Sequence, residues 1–404
     1  PSAPSVAHLS PAAQAAEEIA RAIPKTPEPL ADESARGKTV MLVGTKSSRP
    51  FILKEALRVS RELGFELVLV DDPKNRKYSK KFIDDDHFIA AELDNRGDKN
   101  VDEIVARVGE YAQGKKIDAV VSFLSRHAKV TGQIVDKVGA AGIPGAAITA
   151  ADDKAEMRAK LQEPGRKITS AEDAKKAFKE LGGGKVVIKS ARGENSRFVM
   201  LGIDSEKEAA RAFETLDAEI KAFIARPEAQ TTTFSSHPGI LMEPMFKKVK
   251  GTGEISVELV MAHGLPAFGV VSDTDGIGPN REFLGGSMTF PSRQSGWDQL
   301  HFIVSAARAA AALGINDGSA RVDMVMTEDG PKVIEVNPFM GGAGIWKAVK
   351  LLTGVSLVEQ GLRATLQLAV DPGARPTKVV DYRFLAAKHT GFLERTKHWE
   401  KARR

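Results

Sequence analysis

Cysteine is absent from this 404-residue chain, which removes disulfide staples, thiolate metal sites and a cysteine nucleophile together. No apolar run approaches the roughly 18 residues a membrane span requires. The opening stretch "PSAPSVAHLSPAAQAAEEIARAIPKTPEPLADESARGK" lacks the apolar core of a secretory signal. It reads as a tail or linker with one short amphipathic helix, Ala12 to Ile23, followed by prolines. A cytoplasmic location is therefore expected. Charge of one sign is also scarce: the excess is +5, and Lys and Arg alternate with Asp and Glu throughout. That pattern speaks for solvated surface and against a nucleic-acid partner. What is present is the composition of a soluble globular protein, 42% apolar and 27% charged, long enough for two or three domains.

From Lys38 strand-like and helix-like segments alternate. "TVMLVG", "FELVLVDD", "DHFIAAEL" and "IDAVVSF" are β runs, and "ILKEALRVSRELG", "VDEIVARVGEYAQG" and "HAKVTGQIVDKVGAAG" carry apolar residues at helical spacing. Such alternation predicts an open parallel sheet covered on both faces. A dinucleotide fingerprint fails, because "VGTKSSRPF" has one glycine where a pyrophosphate loop needs three. Asp71 and Asp72 end the second strand, where a ribose-binding acid would sit, and alone carry little. After about residue 150 the organisation changes. "KVVIKSARGENSRFVMLG" reads as strand, loop, strand, and "GILMEPMF" and "EISVELVMAHGLPAFGVVS" add locally paired strands beside the helix "DQLHFIVSAARAAAALG". This is an α+β pattern. His263, at a strand–turn junction, is expected to be structural.

The stretch "RVDMVMTEDGPKVIEVNPFMGG" sets polar residues into apolar strands. Read as a hairpin joined by Glu328-Asp329-Gly330, it puts Asp323 opposite Glu335 and Arg321 opposite Asn337, all on one face. Val322, Met324, Ile334 and Val336 take the other face, with Lys332 near the turn. Carboxylates opposed at about 5 Å repel one another. Arg321 relieves part of this as a salt bridge, and a divalent cation relieves more. Two acids and an amide suit Mg²⁺, which completes its shell with phosphates and water.

Asp323 followed by "EVNP" and glycines resembles the metal-binding end of the ATP-grasp family, and further elements of that family's pattern stand in its order. "DK" at Asp153-Lys154 and "KVVIKS" with Lys189 resemble its two phosphate lysines. "ARGENSR", with Ser196, resembles its phosphate-covering loop. "MEPMF", with Glu243, Met245 and Phe246, resembles its adenine hinge. Glu254 in "GEISVE" resembles its ribose acid. The resemblance implies ATP and two Mg²⁺ ions (or Mn²⁺) as cofactors. Asp323, Glu335 and Asn337 would be the metal ligands, with Glu335 between the ions. Glu243 would accept from the adenine amine. Arg321, Lys189 and Glu335 would act on the transferred phosphoryl group. It further implies a pre-ATP-grasp α/β domain at 38–150 after the 1–37 tail. A small ATP-grasp subdomain at 151–240, a large one at 241–370 and a C-terminal module at 371–404 would come after it.

Within that family the chain resembles the L-amino-acid ligases, which include dipeptide and carnosine-type synthases. "FLGGSMTFPSR" resembles their amino-acid pocket, "GGAGIWKAVKLLTGVSLVEQGLRATL" the segment after their metal motif, and "DYRFLAAKHTGFLERTKHWE" their C-terminal module. The implied activity is ATP-dependent joining of a carboxylic acid to an amine through an acyl phosphate, in a homodimer. Arg281, Arg293 and Ser287 are the candidates for holding substrate. One departure is Phe339, where that branch commonly has Arg. Arg321 instead stands two residues before the metal Asp, as in D-alanine–D-alanine ligases. The alternatives are a purine- or biotin-pathway relative that uses carboxyphosphate, and an ATP-binding regulatory protein without turnover.

Overall fold

Three sheets organise the computed structural model, which describes residues 28–45, 51–93, 100–193, 197–227, 229, 236–275, 287–342 and 344–383. The helix expected at Ala12 to Ile23 lies outside these residues.

The first sheet is parallel, in the order β3-β2-β1-β4, from β1 (Thr39–Val43), β2 (Glu66–Asp71), β3 (Phe88–Ala90) and β4 (Ala119–Val121). Its strands are continuous apolar runs because both faces are buried. Val40, Leu42 and Leu69 pack towards α1 (Phe51–Leu63). Met41, Val43, Val68 and Val70 pack towards α2 (Val101–Tyr111) and α3 (Ala128–Val138).

Next come α4 (Gly145–Asp152) and α5 (Lys154–Lys160), and Asp153 caps α5 by accepting from the amides of Ala155 and Glu156. The second sheet is antiparallel, in the order β5-β8-β6-β7, from β5 (Arg166–Ile168), β6 (Val186–Ser190), β7 (Val199–Ile203) and β8 (Ile240–Pro244). α6 (Ala171–Glu180) and α7 (Glu206–Ile224) cover one of its faces through Phe178, Phe213 and Leu216.

The third sheet has the order β13-β12-β9-β10-β11-β14. Its strands are β9 (Glu254–Ala262), β10 (Leu265–Asp275), β11 (Ser287–Phe290), β12 (Gly318–Thr327), β13 (Gly330–Asn337) and β14 (Val380–Arg383). One face buries Ile255, Val257, Val322, Met324 and Val336 against Phe302, Ala306 and Ala310 of α8 (Gly296–Ala312). Alanines let that helix lie close, and truncating the fully buried Phe302 to Ala would cost about 3–5 kcal/mol. On the other face, Val260, Phe268 and Val270 share a core with α9 (Ile345–Thr353), α10 (Leu357–Thr365) and the first sheet. Met288 belongs to the same core, and the polar residues of β9, β12 and β13 lie further along that face. β14, from the expected C-terminal module, is the outer strand beside β11, and residues 384–404 of that module lie outside the described ones.

The β12–β13 hairpin departs from the sequence reading near its turn. Gly330 pairs with Thr327, so two residues rather than three join the strands, and Gly330 takes a φ of +94°. Arg321 faces Asn337 and Asp323 faces Glu335 as expected, but Met324 then pairs with Val333. Ile334 is the extra residue of a β-bulge. Val333, not Ile334, enters the core with Met324, and Ile334 is left on the side of the polar face.

Candidate active site

Three neighbouring strands build the site, because residues paired across an antiparallel ladder share a face. One row runs Asn337–Arg321–Glu258 and the next Glu335–Asp323–Ser256, on β13, β12 and β9. Below them Glu254 pairs with Val325. The period-two polar set Glu254, Ser256, Glu258 in "GEISVELV" thus continues the carboxylate face. Ser256 and Glu258 were not among the expected site residues, although that alternation inside an apolar strand signals them.

Beside these rows lies a cavity of about 260 Å³ between the two antiparallel sheets. Lys154, Lys189, Glu243, Met245, Phe246, Glu254 and Glu335, all expected site residues, line it, with apolar walls that include Val187, Leu201 and Ile334. Lys154 Nζ lies 3.4 Å from Glu335 Oε2 and donates to the Gly193 carbonyl at 3.4 Å. Asn337 Nδ2 donates to Glu335 Oε1 at 3.4 Å. Arg321 donates from Nε and Nη2 to Asp323 Oδ1 at 3.1 and 3.0 Å, and from Nη2 to Ser256 Oγ at 3.0 Å. Ser256 Oγ donates in turn to the same Asp323 oxygen.

The opposed acids are pushed apart in character. Burial raises the Asp323 pKa and the facing Glu335 adds to the rise, against Arg321. Burial works on Glu335 in the same direction, yet Lys154 and Lys189 hold it below the usual carboxylate range. Two carboxylates and an amide form an all-oxygen donor set for a hard cation that keeps other ligands from phosphate and water. Among the described residues no group of three or more His, Cys, Asp or Glu side chains is placed to hold a metal unaided.

Glu243, on the cavity wall, is also tied to two buried cations. Its residue is 5% exposed, and its carboxylate accepts from Arg158 Nε at 2.8 Å and lies 2.6 Å from Lys189 Nζ. Its second oxygen also accepts from Arg158 Nη2 at 3.3 Å. Both oxygens are therefore engaged by buried cations. Burial favours the neutral forms, lowering Lys189 and opposing ionisation of Glu243, yet Lys189 and Arg158 keep Glu243 below its ordinary value. Arg158 also escaped the sequence reading, although it stands one helical turn after Lys154. It is 1% exposed and donates to the Val333 and Ile334 carbonyls at 2.8 and 3.1 Å. It thereby holds the edge-strand bulge that aims Ile334 at the cavity.

Of the expected substrate contacts the structure describes Arg293 and Ser287, and neither lies on the carboxylate face. Arg293 donates from Nε to Asp273 Oδ2 at 2.7 Å, and Asp273 shares the register row of Ile255, whose side chain faces α8. Ser287 pairs with Asp275 and Arg383 in the same alternation, away from the carboxylates. Arg281 and Ser196 lie outside the described residues. Glu254 faces the cavity and pairs with Lys248 at 3.2 Å.

This arrangement of sheets is the ATP-grasp fold. An L-amino acid ligase from Bacillus licheniformis superposes with a TM-score of 0.66 at 18% identity, over 91% of this chain and 85% of that one. The biotin carboxylase domain of Hydrogenobacter thermophilus 2-oxoglutarate carboxylase, solved with MgADP and bicarbonate, gives 0.62 at 17% identity over 85% and 73%. N5-carboxyaminoimidazole synthase of Aspergillus clavatus, with ADP and 5-aminoimidazole ribonucleotide, gives 0.61 at 15% over 86% and 81%. No family model matches the chain. By sequence it is 25% identical over 316 residues to the uncharacterized protein y4rH of Sinorhizobium fredii, and 25% over 379 residues to carnosine synthase 1 of Gallus gallus. These alignments take in 76% and 84% of this chain, but 62% and 36% of those proteins' own lengths. No helix among the described residues is long and apolar enough to cross a membrane.

Proposed function

We propose that this chain is an ATP-dependent carboxylate–amine ligase that forms an amide or peptide bond through an acyl phosphate, with an amino acid or small natural-product acid as substrate. The observation that carries the reading is the meeting of Lys154, Lys189 and Glu335 in one cavity with apolar walls, directly beside Asp323 and Asn337. The likeness to an L-amino acid ligase and to carnosine synthases supports the substrate class.

In this reading the hinge at Met245 and Phe246 receives adenine and Glu254 the ribose. Lys154 and Lys189 bind phosphate oxygens as point cations. Asp323, Glu335 and Asn337 would hold two Mg²⁺ ions, or Mn²⁺ in their place, which would supply charge neutralisation at the γ-phosphoryl group. Arg321 would steady the transferred group. An oxygen of the acid attacks the γ-phosphorus and ADP departs. The amine nitrogen then attacks the acyl carbon, inorganic phosphate leaves and the amine proton passes to solvent. Positioning and charge neutralisation carry such a reaction. A cytoplasmic homodimer belongs to the same proposal.

The test is phosphate release from ATP and Mg²⁺ with amino acids supplied singly and in pairs. Release that needs both an acid and an amine is the expected result. Release driven by bicarbonate would favour a carboxyphosphate relative, and ATP binding without turnover under all pairs would refute the ligase.

A further inference from the structure

Glu258 is a buried acid that the reaction above leaves without a task. It is 0% exposed and stands in the same row as Arg321 and Asn337. Its Oε2 accepts from the Gly341 amide at 2.8 Å, while Oε1 has no hydrogen-bond partner among the described residues. Among the described residues the cation facing it is Arg321, whose Nε lies 3.9 Å from Oε1. That is too long for a hydrogen bond and short enough for strong attraction. The space around Oε1 is kept open at the backbone: a Cβ on Gly341 would fall 2.2 Å from it. A buried carboxylate oxygen left unpaired is costly, so its retention beside an arginine calls for a state in which the two meet.

The present contacts of Arg321 define that state. Its Nε and Nη2 both donate to Asp323 Oδ1, which also accepts from Ser256. A cation arriving at Asp323 repels the guanidinium seated on that carboxylate. Resting on the metal reading of the hairpin, we propose that Glu258 is the second seat of Arg321: on cation loading the guanidinium leaves Asp323 and closes onto Glu258 Oε1. The move is about 1 Å, from 3.9 Å to the roughly 2.8 Å of a charge-assisted bond. It exchanges one ion pair for another, frees Asp323 for the metal, and leaves Arg321 held beside the phosphoryl group. Glu258 is thus a positioning residue acting through Arg321. Burial pushes its carboxyl up to about 7, as expected of a seat poorly filled in the metal-free protein.

The experiment is a double-mutant cycle on Mn²⁺ binding to the full chain with AMP-PNP, monitored by the free-Mn²⁺ electron paramagnetic resonance signal. Glu258→Gln keeps the shape and removes the charge, and it should weaken Mn²⁺ binding about tenfold, a coupling typical of contacting residues. In an Arg321→Met background, with no guanidinium to reseat, the same substitution should have no effect. Glu258→Asp, which keeps the charge but withdraws it from Arg321, should weaken Mn²⁺ in the same direction and serves if the Gln variant does not fold. Unchanged Mn²⁺ affinity, an equal loss in both backgrounds, or an effect confined to the KM of the amine would each overturn the proposal. Failure of the wild type to bind Mn²⁺ at all would overturn the metal reading with it, whereas wild-type binding with an insensitive Glu258 overturns this inference alone.

Discussion

Glu243→Gln separates two accounts of one residue. As an adenine contact, Glu243 would accept from the exocyclic amine, and its loss would raise the ATP KM and relax discrimination against GTP. In the structure it is instead the shared counter-ion of Lys189, 2.6 Å away, and Arg158, 2.8 Å away. Both cations are almost fully buried, so neither can turn to water when the charge is removed. Breaking a buried pair from one side costs about 3–5 kcal/mol, because the remaining charge stays in a low-dielectric site. Arg158 keeps Glu163, 2.6 Å from its Nη1, so Lys189 is the cation that loses its carboxylate, and the lower part of that range is expected. For a unit of this size the loss corresponds to a melting temperature lower by roughly 10 °C. Thermal unfolding monitored by circular dichroism measures the first quantity, and the ratio of kcat/KM for ATP over GTP the second. The account predicts a large loss of stability with that ratio unchanged. A stable variant that accepts GTP would refute it.

The buried Glu258 predicts a pH dependence in the metal-free protein. Its folded pKa is raised from 4.5 to about 7, so the folded form holds the proton more tightly than the unfolded form. The stability it contributes is therefore full below about pH 4.5 and is lost as pH rises towards 7, about 3 kcal/mol in all. Denaturant unfolding at pH 5 and pH 8 should show this decline in wild type relative to Glu258→Gln; parallel curves for the two would contradict it. Gly341→Ala should destabilise by about 1–3 kcal/mol, since the new methyl group meets a buried carboxylate rather than a movable side chain. An unchanged melting temperature would show that the loop gives way.

Much of this was legible in the sequence for local reasons. β1 to β4 are apolar runs broken by helical periods, and a doubly covered parallel sheet admits no other pattern. Asp323, Glu335, Arg321 and Asn337 alternate with hydrocarbon, so the pleat itself puts them on one face. The bulge was not legible, because Val333 and Ile334 are both apolar and either can point inward. It is set by Arg158, which reaches the two carbonyls from α5. The ion pairs of Glu243 were not legible for a similar reason: its partners come from α5 and β6, and spacing along the chain says nothing of them. Arg293 looked free because Asp273, buried on the far face, lies on a strand separated from it by a long connection. Glu258 was visible in principle, as the last of three polar residues at period two.

The central claim is that two opposed carboxylates and an amide grip the cations of a nucleotide triphosphate. It is tested most directly by counting the Mn²⁺ ions bound per chain in the presence of AMP-PNP, for wild type and for Glu335→Gln. The account predicts two ions in the wild type and at least one lost in the variant, with the folded structure retained. Equal occupancy and affinity in the two proteins would contradict it.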